Sequence, residues 1–278
     1  MKNFIRYQNI RIFFLGFSAL IFLAFSLSSC ATVPITERRS LHILPDSEMT
    51  ALSLEQYSEV LKKSKLSQDQ QKVQMVGRVG GRIAQATEAF FRESGMSEEI
   101  KNYKWEFNLI EDDKVVNAWC MPGGKVAVYT GILPVAGDET GLAVVMGHEI
   151  AHAIAKHGNE RMSQGLLVQL GGIGLAAALG SNPGVTTNLF LSAYGAGAQV
   201  GFLLPYSRVH ESEADRIGLV LMAKAGYDPR QAIPFWERMN AKGGSRPPEF
   251  LSTHPAPESR IVSIRQEIPE AMKYYKPR

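Results

Sequence analysis

The stretch VVMGHEIAHAIAKHGNER, residues 144–161, is the most informative part of this sequence. It is apolar and rich in alanine, which is typical of a buried helix, yet it carries two histidines four positions apart and a glutamate directly after the first. Residues four apart project from the same face of an α-helix, so His148 and His152 can hold one metal ion. Glu149 can reach the open side of that metal and take a proton from a water molecule there.

A hydrolytic zinc site needs a third protein ligand and one open position. His157 follows His152 by five residues, which is about 140° around a continuous helix, so we expect its side chain to point elsewhere. The third ligand must therefore come from another part of the chain.

Two carboxylates further along are the candidates. In HESEADRIGLVLMAKAGYDP, residues 210–229, Glu211 and Asp215 lie four apart at the start of a largely apolar helix. A buried carboxylate pair needs a cation or a donor, which Glu211 would find in the metal and Asp215 in an N–H of a ligating histidine. Glu213 lies about 200° from Glu211 and is expected to face away. The alternative is a solvated acidic turn that favours the helix dipole.

The first 29 residues are typical of an export signal. A basic start precedes the apolar run IFFLGFSALIFLAFSL, residues 12–27, which is shorter than the roughly 20 residues of a membrane span. Residues 27–30, LSSC, resemble the bacterial lipobox, so we expect Cys30 to carry lipid and Ala31 after it to favour the outer membrane, on the periplasmic side. An uncleaved anchor helix and an ordinary secretory signal are the alternatives.

Charge and cysteine content limit the partners. The chain has 30 Lys and Arg against 27 Asp and Glu, and three of the basic residues lie in the first 29, before the first acidic residue. The mature chain is therefore neutral, and a nucleic-acid partner is not expected. If Cys30 is lipidated, Cys120 is the only thiol left and no internal disulfide can form.

The chain is long and apolar enough for one substantial domain, which we place at residues 46–278 after a tether at residues 30–45. Periodicity predicts two helices before residue 94, then a strand in YKWEFNLI (103–110) and a hairpin in residues 114–133, and helices afterwards. The uncharged segments at residues 165–180 and 189–204 are expected to be buried helices, with a membrane-touching hairpin as the alternative.

Four motifs follow one another along the chain: NAWCMPGGKVAVYTGIL (117–133), HEIAHAIAKHGNER (148–161), ESEADRIG (211–218) and STHPAPESRI (252–261). Together they resemble the HtpX and CAAX prenyl protease family of zinc metallopeptidases, which are HExxH gluzincins. The resemblance is strongest to the exported bacterial lipoprotein branch that includes LoiP and BepA, and it extends to mitochondrial inner-membrane relatives. We do not expect the helical repeats of BepA-like proteins, because the chain ends soon after the last motif.

The resemblance implies an α+β fold: a mainly helical zincin-type domain with a small antiparallel sheet or hairpin before the HExxH helix. It also implies one Zn²⁺ on His148, His152 and Glu211, with Glu149 as the general base and Asp215 beside the ligands.

Two further motifs carry implied roles. The hairpin implies an edge strand, with Asn117 and Ala118 at its start, that pairs with the backbone of a polypeptide substrate; Asn117 is equally well interpreted as an ordinary strand-edge residue. In the last motif, His254 and Arg260 are implied to stabilise the oxyanion, or His254 to cap the zinc. The alternative for these two is a helix start with a surface histidine.

The function expected from these features is that of a zinc endopeptidase, held at the outer membrane by lipid on Cys30, that hydrolyses misfolded or misassembled envelope proteins. Other envelope proteases or outer-membrane assembly proteins are its expected partners. The alternatives are an envelope chaperone or assembly factor with a latent or structural zinc site, and an integral membrane protease that uses residues 165–204.

Overall fold

The computed structural model of the protein describes residues 30–170, 207–242, 249–254 and 258–277. The expected signal segment lies outside these ranges, as do the two apolar segments at residues 165–204 apart from the first six residues. Within the described ranges, no helix is both long enough and apolar enough to cross a membrane.

The N-terminal segment forms an antiparallel hairpin of strands β1 (Cys30–Thr32) and β2 (Arg39–Leu41). Val33 and Leu44 are buried in the hydrophobic core, and Ile43 donates its backbone N–H to the hydroxyl of Ser163. Residues 33–45, expected to be a tether, are therefore packed on the domain, because their apolar side chains find a surface to bury against. The folded unit begins before the boundary that we placed at residue 46.

The two helices predicted before residue 94 are α1 (Asp46–Lys63) and α2 (Gln70–Glu93). The carboxylate of Asp69 caps α2 by accepting the backbone N–H groups of Gln71 and Lys72, which satisfies donors that have no partner within the helix. Apolar side chains at helical spacing, among them Val76, Val79 and Ile83, place one face of α2 in the core.

The three-stranded sheet comprises β3 (Glu106–Ile110), β4 (Ala118–Met121) and β5 (Lys125–Tyr129), in the order β3-β5-β4. The predicted β4–β5 hairpin is antiparallel, but β3 pairs parallel to β5, so that the sheet is mixed. All five residues of β5 are buried, as a central strand requires. The order leaves β4 at one edge of the sheet.

After β5 the described chain is mainly α-helical, with short 3-10 turns and loops between the helices. The helices are α3 (Leu133–Ala136), α4 (Glu139–Ile154), α5 (His157–Leu170), α6 (Arg208–Lys224), α7 (Ala232–Ala241), α8 (Glu249–Thr253) and α9 (Glu258–Ala271). Helices α4 and α6 pack against each other in the centre. They approach closely because glycines meet: a Cβ added at Gly147 would lie 3.0 Å from the carbonyl oxygen of Gly218. The predicted fold class, a mainly helical domain with a small antiparallel sheet or hairpin before the HExxH helix, is confirmed, with the difference that β3 adds to the antiparallel hairpin in parallel.

Candidate metal centre

Helix α4 carries the two histidines of the opening motif. Asp138 caps its start by accepting from the backbone N–H groups of Thr140 and Gly141. The helix is buried along its whole central part, so the side chains of His148, Glu149 and His152 all point into the protein. His148 and His152 project from the same face, and their Nε2 atoms lie 3.0 Å apart.

Helix α6 brings the two carboxylates. The hydroxyl of Ser207 caps its start by accepting the backbone N–H of His210, one residue before Glu211. Because α6 crosses α4 at the two glycines, Glu211 faces both histidines: its carboxylate oxygens lie 3.5 Å from His148 Nε2 and 3.4 Å from His152 Nε2.

His254 reaches the same point from the segment that follows α8. Its Nδ1 lies 3.0 Å from Glu211 Oε1 and 3.3 Å from His148 Nε2, and its Nε2 lies 3.5 Å from Glu149 Oε1. One ligand atom from each of His148, His152, Glu211 and His254 falls within a cluster no wider than 4.8 Å. His254 is therefore buried within reach of the same point, and it is not a surface residue.

Arg260 and Asp215 form a buried pair next to this cluster. The Arg260 Nε and Nη2 atoms donate to the two oxygens of Asp215 at 2.6 and 2.8 Å, and Nη1 lies 2.6 Å from Glu211 Oε2. The guanidinium also lies 3.8 Å above the ring centre of Trp236. Asp215 Oδ1 in turn lies 3.1 Å from His148 Nδ1. The Arg260 donors thus face two carboxylates. Asp215 contacts Nδ1 of the His148 ring, and the Nε2 atom of that ring faces the cluster.

Glu149 lies 3% exposed beside the cluster. Its Oε1 makes no hydrogen bond to the described residues, and the His254 Nε2 atom lies 3.5 Å from it. Burial raises the pKa of its carboxyl above the usual value, against the opposing influence of His254 and His148. A buried carboxylate with a raised pKa and an oxygen that makes no hydrogen bond is suited to take up a proton.

The electrostatics of the cluster favour a cation. Burial alone would lower the pKa of His148, but the carboxylates of Asp215 and Glu211 outweigh it and raise the pKa to about 9. In contrast, burial lowers the pKa of His152 well below its usual value. Burial would raise the pKa of Glu211, but the neighbouring His254 and Arg260 hold it well below its usual range. The site therefore attracts positive charge while keeping an imidazole and a carboxylate available as ligands.

Asn117 and Ala118 lie at the start of the edge strand β4, and both are buried. Helix α8 covers this start: Phe250 donates its backbone N–H to the carbonyl of Val116 at 3.1 Å, and the Asn117 amide donates to Glu249 Oε1 at 3.3 Å. The backbone next to Asn117 is thus bonded to the segment that carries His254. Helix α8 thus connects the start of β4, the strand expected to bind substrate, with His254 in the metal cluster.

Sequence reasoning missed a second buried network on the far side of His152. His157 Nδ1 lies 2.8 Å from His152 Nδ1, and His157 Nε2 lies 3.0 Å from Glu213 Oε2. Arg38, in the turn between β1 and β2, lies 2.8 Å from Glu213 and 2.7 Å from Glu160. Glu213 faces away from the metal cluster, as expected, and His157 lies between Glu213 and the back of the His152 ring.

His157 is not among the grouped ligand side chains, as expected, but its contact with the back of the His152 ring was not foreseen, because the spacing argument assumed one continuous helix. Helix α4 ends at Ile154, and Lys156 adopts a left-handed conformation with φ 57°, after which α5 begins in a new direction. The turn brings the His157 ring back to His152. The sequence gives no signal of this turn, because Lys156 is not of a residue type that favours positive φ.

The donor set fits zinc. Two imidazole nitrogens and one carboxylate, with another imidazole within reach, are ligands that zinc accepts in tetrahedral sites. Buried Glu149 fits as well, since its Oε1 makes no hydrogen bond to the described residues and lies 3.5 Å from His254 Nε2, at the edge of the cluster. In this arrangement His148, His152 and Glu211 would hold the ion.

An HExxH pair on one helix and a glutamate from a later helix define a zinc metallopeptidase site of the gluzincin type. The chain belongs to peptidase family M48, whose sequence profile matches residues 78–268, more than half of the chain. The predicted zinc ion is confirmed by this family and by the grouped ligand side chains. The predicted enzyme class, a metalloendopeptidase, is that of the family and of the relatives below.

The chain is similar to the mitochondrial metalloendopeptidase OMA1 of Schizosaccharomyces pombe, with 42% identity over 180 residues that cover 64% of this chain and 50% of that protein. The mitochondrial metalloendopeptidase OMA1 of Homo sapiens is 32% identical over 271 residues, 94% of this chain and 50% of that protein. The beta-barrel assembly-enhancing protease of Escherichia coli K12 is 33% identical over 169 residues, 58% of this chain and 34% of that protein. The chain spans half or less of the length of these relatives.

Proposed function

We propose that the protein is a zinc-dependent endopeptidase that hydrolyses peptide bonds of misfolded or misassembled proteins. The main support is that ligand atoms of His148, His152 and Glu211 lie close together, with the buried carboxylate of Glu149 beside them. When bound, zinc supplies Lewis acidity, which lowers the pKa of a water molecule towards about 7 and polarises the scissile carbonyl.

The chain's own residues do the proton work. Glu149 takes a proton from the attacking water and returns it to the leaving amine, and its raised pKa suits both steps. Asp215 accepts the Nδ1–H of His148 and so points the Nε2 lone pair of that ring at the ligand position. Arg260 holds Asp215 and Glu211 in place through its three nitrogen atoms.

Substrate backbone is proposed to pair with the edge strand β4, next to Asn117 and Ala118. The sheet order supports this proposal, because β4 is an edge strand in the part of the chain that the structure describes. Strand addition recognises the main chain of an extended peptide, whatever its side chains. For substrate to enter, α8 must leave the carbonyl of Val116, to which Phe250 donates in the described conformation.

The cellular location is proposed as the periplasmic face of the outer membrane, with lipid on Cys30 as the anchor. Support comes from the lipobox-like residues 27–30 and from similarity to a bacterial protease whose name refers to β-barrel assembly. Other relatives are mitochondrial, so the signal segment is what favours export in a bacterium. Outer-membrane assembly proteins and other envelope proteases are the partners that this location suggests.

The test compares the purified protein with Glu149→Gln for zinc content and for cleavage of casein. We expect about one zinc per chain in both proteins and cleavage only in the wild type, because glutamine cannot take up the proton. Full activity of Glu149→Gln would refute the assignment of the base, and a wild type without zinc would refute the metal site.

A second candidate function is an envelope chaperone or assembly factor with a latent zinc site. The position of His254 favours it, because a fourth protein ligand closes a zinc site to water. His254→Ala separates the two. If His254 caps the zinc, the His254→Ala variant should cleave casein faster than the wild type. If His254 stabilises the oxyanion, the variant should cleave casein more slowly. If the wild type and His254→Ala both bind zinc and neither cleaves casein, the chaperone function is favoured.

A further inference from the structure

Behind His152 lies a buried chain of polar side chains to which the proposed catalysis assigns no role. It runs from His152 to His157, then to Glu213, and from there to Arg38. His157 is 0% exposed and Glu213 is 5% exposed. The hydroxyl of Thr36 also donates to the Glu213 carboxylate. Such a chain costs free energy to bury unless every member has its partner, so it has a stringent geometry.

The Glu213–Arg38 pair determines which nitrogen atoms of His157 and His152 carry a proton. A carboxylate next to Arg38 can only accept hydrogen bonds, so His157 must donate its Nε2–H to Glu213. A neutral imidazole has a single N–H, which leaves His157 Nδ1 as an acceptor. The His152 Nδ1 atom, 2.8 Å away, must then carry the proton and donate it. His152 Nε2 is left with its lone pair directed at Glu211 and His148, which is the ligand position.

The two zinc-binding rings are thus held by different means. Behind His148 a single carboxylate, Asp215, accepts the Nδ1–H directly, and Arg260 fixes that carboxylate. Behind His152 the same task requires a relay, because the carboxylate of Glu213 is one imidazole further away. In both cases an arginine from a distant part of the chain holds the carboxylate.

Arg38 connects this relay to the N-terminal hairpin. It lies between β1 and β2, and its guanidinium contacts Glu213 at 2.8 Å and both oxygens of Glu160 at 2.7 and 2.9 Å. His210 Nε2 lies 3.1 Å from Glu160, and the His210 ring stacks on that of His157 with 4.5 Å between centres. The hairpin therefore packs on the support of a metal ligand.

We propose that His157 is a positioning residue of the metal centre, which orients the His152 ring and fixes its tautomer. His157 is itself fixed by its hydrogen bond to Glu213, and Arg38 of the N-terminal hairpin holds the Glu213 carboxylate. The inference rests on the proposed metal ligation by His152. It predicts that removing His157 weakens zinc binding, although His157 does not touch the metal. Loss of a hydrogen-bond partner behind a ligating histidine typically costs about 10- to 100-fold in metal affinity.

The experiment measures the Kd for zinc of the full chain by competition with a chromophoric chelator, together with the visible spectrum of the cobalt-substituted protein. The variants are His157→Leu, which removes both hydrogen bonds, and His157→Asn. Asparagine places Oδ1 near the position of the histidine Nδ1, since both atoms are bonded to Cγ, and so keeps the acceptor for His152. We expect His157→Leu to bind zinc about 10- to 100-fold more weakly with an altered cobalt spectrum, and His157→Asn to recover most of the affinity.

The matched control is His42→Leu. His42 is a half-buried histidine of the same N-terminal segment that hydrogen-bonds Ser40 at 2.9 Å, and its replacement should leave the Kd for zinc unchanged. Far-UV circular dichroism verifies that each variant is folded. A folded His157→Leu with wild-type Kd and cobalt spectrum overturns the proposal. So does a folded His157→Asn that binds zinc as weakly as His157→Leu, since packing alone would then explain the loss.

If His157→Leu does not fold, Glu213→Gln decides. A neutral amide can donate as well as accept, so it no longer forces the tautomers of the two rings, and we expect zinc binding to weaken by at least threefold. Wild-type affinity in Glu213→Gln overturns the proposal. A wild type that binds no zinc refutes the metal site itself, which distinguishes failure of the proposed function from failure of this inference.

Discussion

The closest approach of α4 and α6 sets the distance between the zinc ligands, and Gly218→Ala tests this. A Cβ at position 218 would lie 3.0 Å from the carbonyl carbon of Gly147 and from the backbone nitrogen of His148. Nonbonded carbon atoms prefer about 3.5–4.0 Å, so the helices must separate by roughly half an ångström or more. Both obstructing atoms belong to the backbone and cannot rotate away. Overpacking of this kind costs about 1–3 kcal/mol.

The same movement shifts His148 and His152 away from Glu211. A displacement of about 0.5 Å is as large as the tolerance of a preorganised site, so we expect weaker zinc binding as well as lower stability. Alanine is also a better helix former than glycine by about 1 kcal/mol, so the net loss of stability is up to about 2 kcal/mol. For a domain of this size 1 kcal/mol corresponds to about 2–4 °C in Tm, which predicts that Gly218→Ala lowers the Tm of the metal-free protein by up to about 8 °C. Differential scanning calorimetry and chelator competition measure the two effects.

The matched control is Gly77→Ala on the exposed face of α2, where an added Cβ meets nothing within 4 Å. There alanine should raise the free energy of unfolding by up to about 1 kcal/mol, since it favours the helix. A Gly218→Ala protein with the Tm and the zinc Kd of the wild type would refute the reasoning. A lower Tm with unchanged zinc affinity would refute the link between helix spacing and the metal site.

Three further predictions concern the metal and its surroundings. Removing zinc with EDTA should lower the Tm by about 8–16 °C when zinc had been present at a thousand times its Kd, because binding then contributes about 4 kcal/mol; an unchanged Tm would contradict a zinc bound only to the folded state. Asp215→Asn should weaken zinc binding by about 10-fold or more, as it frees the His148 ring to turn, and wild-type affinity in chelator competition would refute this role. Burial would raise the pKa of Glu160, but hydrogen bonds from His210 and Arg38 outweigh it and lower the pKa to about 2. The ionised Glu160 carboxylate therefore stabilises the folded protein above about pH 4.5, and this contribution is lost as the pH falls towards 2. Arg38→Gln should therefore reduce the loss of stability over that pH range in urea titrations of the metal-free protein, and an unchanged pH profile would argue against the pair.

Local patterns in the sequence predicted much of the fold. Helix α2 has apolar residues at helical spacing on one buried face, and the turn glycines Gly123 and Gly124 adopt the positive φ that a hairpin at this position needs. The spacing of His148 and His152 likewise placed both rings on one face of α4. In each case the signal lies within a few residues of the feature that it predicts.

Strand order was not predictable in the same way, because it depends on contacts between distant parts of the chain. β3 precedes the hairpin directly in sequence, yet it pairs with the second strand of the hairpin and not with the first. One signal was available. β5 reads KVAVY without polar alternation, which is typical of a central strand with both faces covered, and all five of its residues are buried.

The support behind His152 was missed for a related reason. Helical geometry placed Glu213 correctly on the face opposite Glu211, but that geometry says nothing about which side chains fill the space there. One is His157, redirected by the left-handed Lys156. The other is Arg38, from a segment whose prolines and charges suggested a tether. If the chain is anchored at Cys30, only a few residues separate the lipid from the turn that carries Arg38. The same hairpin would then lie next to the membrane and hold the carboxylate behind a metal ligand through Arg38.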